Sequence, residues 1–373
     1  MSERRTIRTI AIANRGEAAM RCLRAVKSLR AREASDLRAV ALFTSVDRDT
    51  PFVRHADLAV ELRHRGSAAR AYLDSAGVLE AVLGVGADAV WPGWGFLAED
   101  PAFAERVEAA GIRFLGPSAD TMRRLGDKIA AKRLAEAAGV PVAPWSGGEV
   151  DDVSSAARAA ERIGYPLMIK ASAGGGGRGI RLVESPAELA EALRSAGAEA
   201  RAAFGDGRLF LERRVSGGRH IEVQIAGDLH GNVITLGCRD CSMQRRHQKL
   251  IEEAPPNLPA ALRSAIEAAA IRLARLVGYS GLGTVEYLVA GSEFCFLEVN
   301  PRLQVEHGIT EILTGLDLVE LQIRIGRGED IAGLEVHERG FAIEARVCAE
   351  DPDRDFLPAP GRVVRFDPPL GTG

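Results

Sequence analysis

Glu286 and Glu298 are the lone carboxylates in two short β-forming runs, residues 284–289 and 294–299, joined by the turn signal Gly291-Ser292. A hairpin symmetric about Ser292 sets the two acids opposite each other on one face, where like charges repel. Asn300, two residues past Glu298, points to the same face. Two carboxylates and an amide oxygen form a hard-oxygen donor set suited to Mg²⁺ or Mn²⁺, with nucleotide phosphates completing it. A solvated hairpin face with scattered acids is the other reading.

The loop that follows, PRLQVEH at residues 301–307, puts Arg302, Gln304, Val305 and Glu306 in one short stretch. A planar anion such as bicarbonate suits a bidentate guanidinium, and a neighbouring carboxylate can take its proton. An Arg302–Glu306 pair in a plain polar loop would use the same residues.

Upstream, residues 171–179 read ASAGGGGRG. Gly174, Gly176 and Gly179 match G-x-G-x-x-G, yet a strand-like run follows where the dinucleotide fingerprint needs a helix. Strand, glycines and strand make a flap whose backbone N–H groups, at Gly176 and Gly177 among others, approach phosphates. Lys170 stands just before it. The chain has five lysines against 43 arginines. Lys128, Lys170 and Lys249 all fall in candidate ligand segments, where a compact ammonium fits a phosphate better than a fork.

The bulk composition narrows the alternatives. A net charge of −3 and 5% aromatic residues argue against nucleic acid. No apolar run approaches a membrane span. A strand begins within the first few residues, which leaves no room for a signal peptide, and five scattered cysteines are no disulfide framework. A cytoplasmic location follows. Cys238-x-x-Cys241 has no second pair at zinc spacing, so a metal or redox role for it is disfavoured. The basic run after it reads as a solvated loop or a nucleic-acid patch, and the low aromatic content and negative net charge argue against the patch.

Strand and helix patterns alternate through residues 6–115: strands near 6–13, 37–43, 89–92 and 112–115, helices near 17–30, 72–85 and 101–110. That alternation implies a parallel doubly wound sheet. Trp91 and Trp94 read as packing residues. Pro141, Pro144 and the glycines at 147 and 148 mark a linker. Residues 259–277 form an amphipathic helix with Leu262, Ile266, Ala269, Leu273 and Leu276 on one face. Residues 341–347 form a strand with Glu344 and Arg346 on one face, where a salt bridge between the two is one reading.

Two runs, SMQRRHQK at 242–249 and RLQVEH at 302–307, resemble signature segments of biotin carboxylases in the ATP-grasp superfamily. WPGWGFLAE at 91–99 resembles that family's PGYGFLSE loop, and the resemblance spans essentially the whole chain. It implies an α/β protein with a Rossmann-like N-terminal domain (1–125) and a helix and hinge (126–142). An ATP-grasp fold follows, with a mobile lid subdomain (143–215) and an α+β core (216–330), then an incomplete C-terminal region (331–373). It further implies that Lys128, Lys170, Gly176, Gly177 and His220 hold ATP phosphates. Glu212, Arg213 and Val215 would lie at the adenine, and Gln244 and His247 would contact nucleotide. Lys249, Arg302, Gln304 and Val305 would bind bicarbonate, Glu306 would be the base, and Arg346 would stabilise the biotin enolate. Glu286, Glu298 and Asn300 would hold the metal. Biotin would arrive on a carrier protein or domain, a carboxyltransferase component would follow, and a homodimer is admitted. Ala173 and Gly308 depart from the family's usual Gly and Pro. Because such enzymes continue through further strands and a helix, the chain is expected to be a fragment. A carbamoyl-phosphate synthase type of ligase and an inactive nucleotide-binding portion of a carboxylase are the competing expectations.

Overall fold

The computed structural model describes residues 5–63, 66–173, 179–367 and 371. Its first unit runs β1 (Thr9–Ile12), α1 (Gly16–Glu33), β2 (Arg38–Phe43), α2 (Pro51–His55), β3 (Leu58–Glu61), α3 (Ala68–Ala71), α4 (Ser75–Gly84), β4 (Ala89–Trp91), α5 (Pro101–Ala109) and β5 (Arg113–Phe114). The strands form one parallel sheet in the order β3-β2-β1-β4-β5. Apolar helix faces cover it, with Leu23, Val26 and Leu29 on one side and Val78, Val82 and Phe103 on the other. This is the doubly wound sheet that the alternation implies. The helix expected over 72–85 starts later, because the Asp74 carboxylate caps it by accepting from Gly77 N. The edge strand β3 and the short α2 have no counterpart in the sequence reading.

Two capped helices lead onward: α6 (Ala119–Gly126) after Ser118 and α7 (Lys128–Ala137) after Asp127. Next come α8 (Val153–Ile163), β6 (Leu167–Ala171), β7 (Arg181–Val183), α9 (Leu189–Phe204) and β8 (Leu209–Arg213). The three strands pair antiparallel in the order β7-β6-β8 and share a small core of Ile163, Ile169, Leu193 and Leu211 with the two helices. This core is separate from those of the other two units. Strands do flank the glycine run, but residues 174–178, including Gly176 and Gly177, lie outside the described residues.

The third unit contains β9 (Arg219–Gly227), β10 (Val233–Arg245), β11 (Gln248–Ala254), α10 (Ala260–Leu276), β12 (Gly281–Ala290), β13 (Glu293–Asn300), α11 (His307–Thr314), α12 (Leu318–Gly326) and β14 (Ala342–Ala345). Its antiparallel sheet runs β13-β12-β9-β10-β11-β14. One face packs on α10 through Leu262, Ile266, Ala269 and Leu273, whereas Leu276 is exposed near the helix end. The basic run is not a loop. It is the β10–β11 hairpin, with Arg245 paired to Gln248 and a two-residue turn in which Arg246 and His247 both have positive φ, 52° and 62°. That backbone matches the twist of a hairpin, although Asn and Gly are its usual occupants. No helix among the described residues is long and apolar enough to cross a membrane.

Candidate active site

The site grows from one transverse row of the antiparallel sheet. Glu298 pairs with Glu286, Glu286 with Glu222, and Glu222 with Arg239, across β13, β12, β9 and β10. Glu286 faces Glu298 as expected, but the hairpin is not symmetric about Ser292: its turn is Gly291-Ser292, with Ala290 opposite Glu293. Near the turn Tyr287 faces Phe296, and one step on Glu286 faces Glu298, so Leu297 is an extra residue in a β-bulge. Phe294 and Phe296 stay in the apolar core with Val285 and Tyr287, and Glu298 turns to the other face beside Glu286.

Three carboxylates in a row need cations. Lys249, from β11, donates to Glu222 Oε2 at 2.5 Å, Glu286 Oε1 at 2.9 Å and Glu306 Oε1 at 2.6 Å, which commits all three ammonium protons. Arg239 is fully buried and equally committed. It donates to Glu222 at 2.5 Å, Gln224 at 2.8 Å, Thr310 at 2.9 Å, and Thr284 and Gln304 at 3.2 Å each. Burial pushes the Glu306 carboxyl up, but Lys249 and Arg239 outweigh it and hold the group at about 2. Burial likewise opposes ionisation of Glu286, and Lys249 and His220 bring it well below the ordinary value.

The remaining candidates separate into four places. At Glu286, Asn300 Nδ2 donates at 2.9 Å, Gln304 Nε2 donates at 3.0 Å, and His220 Nε2 lies 2.9 Å away. Gln244 touches His220 Nδ1 at 2.9 Å and so fixes the imidazole. Lys128 Nζ donates to Glu298 at 2.7 Å. In the lid, Lys170 donates to Glu212 at 2.7 Å, and the Arg213 amide bonds Pro144 O in the linker. Val215 follows that strand and is half-buried. At the base loop, Arg302 pairs with Glu99 at 2.9 Å rather than with Glu306, and its Nη2 donates to Asn300 Oδ1 at 3.2 Å. Asn300 therefore turns its nitrogen, not its oxygen, to Glu286. Arg346 joins Glu252 at 2.7 Å and Glu306 at 2.8 Å, so the alternative pairing with Glu344 does not form. His247 stands apart, exposed at the hairpin tip.

The donor set of Glu286, Glu298 and Asn300 suits a hard divalent cation. Two ammonium groups, from Lys128 and Lys249, now neutralise its two carboxylates. Cys238 and Cys241 are both buried, and burial pushes each thiol well above its ordinary value, the reverse of a reactive thiolate.

Trp91 and Trp94 pack as expected. Trp91 is fully buried and donates to Gln322 at 2.9 Å, while Trp94 lies against the ring of His307 at 5.3 Å. Burial, with Arg21 nearby, lowers His307 to about 4. An unfolded chain takes up that proton near pH 6.5, and the folded one does not. Stability held at neutral pH is therefore lost as pH falls. Urea denaturation at pH 7.5 and pH 5 should show wild type losing about 2 kcal/mol more than His307→Gln. Equal losses would mean that His307 titrates normally.

Sequence reasoning passed over Glu222, Arg239, Lys132, Glu252 and Glu99. The alternation of His220, Glu222 and Gln224 with Ile221, Val223 and Ile225 was the available signal for the first of these.

Comparison with known proteins places the chain in a family. Residues 6–122 match the family described as "Biotin carboxylase, N-terminal domain", and residues 127–334 match "Carbamoyl-phosphate synthase L chain, ATP binding domain". The biotin carboxylase of a Nostoc species is 46% identical over 368 residues, covering 98% of this chain and 81% of that protein. The biotin carboxylase of Haemophilus influenzae is 44% identical over 368 residues, covering 98% and 80%. Among solved structures, a Campylobacter jejuni biotin carboxylase–β,γ-ATP complex superposes with a TM-score of 0.93 at 42% identity, covering 98% of this chain and 81% of that one. The biotin carboxylase domain dimer of Hydrogenobacter thermophilus 2-oxoglutarate carboxylase, with MgADP, ADP and bicarbonate, gives 0.93 at 40% identity, covering 99% and 81%.

Proposed function

The chain belongs to the biotin carboxylase family, and from that premise we propose how its residues divide the work of carboxylating biotin with ATP and bicarbonate. Members of the family are ATP-dependent ligases. The observation that carries the division of labour is the Lys249 ammonium, which joins the candidate metal hairpin, through Glu286, to the candidate base, Glu306.

Lys128, Lys170 and His220 take the phosphates. Adenine lies by the segment of Glu212, Arg213 and Val215, with Gln244 and His247 on the nucleotide side and Gly176 and Gly177 in the cover. Glu286, Glu298 and Asn300 hold the divalent ion, which when bound neutralises phosphate charge. Arg302, Lys249, Gln304 and Val305 orient bicarbonate, and Glu306 removes its proton. The freed oxygen attacks the γ-phosphorus, ADP leaves, and carboxyphosphate forms. The bond from the carboxyl carbon to the phosphate oxygen then breaks, inorganic phosphate leaves and takes the ureido N–H proton, and the carboxyl carbon bonds to that nitrogen of biotin, whose enolate charge Arg346 offsets. Charge on the phosphoryl group is the main quantity to stabilise, which suits a site built on cations. Biotin arrives on a carrier, a carboxyltransferase component consumes the product, and the setting is cytoplasmic. Residues 1–125, 126–142, 143–215, 216–330 and 331–373 serve as N-terminal domain, hinge, lid, core and start of the C-terminal region.

The test is ATP hydrolysis with and without bicarbonate and free biotin. ADP release should require bicarbonate and rise with biotin. Release that instead requires ammonia and yields carbamoyl phosphate would assign the chain to the synthase type. ATP binding without turnover under any acceptor would reduce it to a nucleotide-binding portion.

A further inference from the structure

Glu212 is 4% exposed and carries two ammonium partners, not one. Lys170 reaches it from the neighbouring strand β6 at 2.7 Å. Lys132 reaches it from α7 and is 2% exposed, among the most deeply buried large side chains of the protein. No ligand role is expected for Lys132 from sequence, because it sits mid-helix in an alanine-rich run. Its burial needs a reason: taking an ammonium out of water is costly unless it is well paired. Trp145, from the linker, lies 5.9 Å from the ammonium and adds a cation–π face. The Trp145 backbone also bridges to Glu212, so helix, linker and lid strand meet at one carboxylate.

The triad carries one positive charge in excess. Burial pushes the Glu212 carboxyl up, and Lys170 and Lys132 together pull it below its ordinary value. Either lysine alone would neutralise the carboxylate. With both present, Lys170 can leave without stranding a buried charge. With Lys132 absent, Lys170 and Glu212 would form a closed pair that any incoming phosphate must break.

We propose that Lys132 is a positioning residue of the nucleotide site: it retains Glu212 from α7 and so frees the Lys170 ammonium for a nucleotide phosphate. This rests on the reading of Lys170 as a phosphate ligand. Lys132 itself touches no reacting atom.

Steady-state kinetics on the full chain, varying ATP at saturating bicarbonate and biotin, tests it. Lys132→Met should raise KM for ATP about tenfold and leave kcat within about twofold, because the chemistry lies at Glu306 and Arg302. Lys132→Arg, which keeps a cation on α7 for Glu212, should recover most of that affinity. If Lys132→Met folds poorly, Lys132→Gln, which keeps a donor without the charge, reads the same split. An unchanged KM for ATP would overturn the proposal. So would a parallel fall in kcat that Lys132→Arg does not relieve, the mark of a merely structural lysine. Lys170→Met separates the premise from the inference: if it leaves ATP affinity intact, the phosphate role of Lys170 fails first, whatever Lys132 does.

Discussion

Glu306→Gln is expected to lower kcat for bicarbonate-dependent ATP cleavage by about 10²–10⁴-fold, the span typical of losing a positioned general base. The substitution preserves shape, and the amide can still accept one hydrogen bond from Arg346, which lies 2.8 Å from the carboxylate. Lys249 keeps Glu222 and Glu286. Nucleotide affinity by calorimetry should therefore stay within about threefold, because the groups assigned to the phosphates lie on other elements, Lys128 on α7, Lys170 on β6 and His220 on β9. A carboxyl held at about 2 is a weak base, and the cause is Lys249 and Arg239 acting against burial. A Glu306→Gln enzyme within tenfold of wild type would remove Glu306 from the proton transfer.

Arg239→Met should destabilise the fold by about 3–5 kcal/mol, the range for breaking a buried ion pair from one side. All of its hydrogen-bonding nitrogens have partners in the interior. Methionine fills much of the volume but leaves Glu222 dependent on Lys249 alone, and it releases Gln304 in the base loop. The urea midpoint should drop accordingly, and KM for bicarbonate should rise in whatever fraction remains folded. A loss below about 1 kcal/mol would mean that the network relaxes around the gap.

The two strands, with one carboxylate in each, were legible in the sequence, and RLQVEH is a contiguous motif. Glu286 does face Glu298, but the turn alone, with Ala290 opposite Glu293, would set Leu297 there, and the bulge brings Glu298 into place. What escaped was assembled from distant segments. Arg239 lies in a run of polar residues that reads as a loop, and only the long pairing of β9 with β10 reveals it as interior. The bulge at Leu297 escaped for another reason. By strict alternation Phe294, Phe296, Glu298 and Asn300 share one face, which would mix aromatic core with ligands, and local pattern does not say where the ladder slips. The Arg302–Glu99 pair joins residues some two hundred positions apart and leaves no mark in either neighbourhood. In the N-terminal unit, the period of buried helices was readable, whereas β3 is too short and too near the sheet edge to show a pattern.

Four of the five lysines sit against site carboxylates, and Lys27, exposed on α1, is the fifth. Acylating and carbamylating reagents attack a neutral, accessible amine, and the four paired ammoniums are largely shielded, with Lys128 and Lys249 also held protonated by their carboxylates. Among the lysine side chains, slow chemical ageing of this protein would therefore fall first on Lys27, away from the carboxylate row.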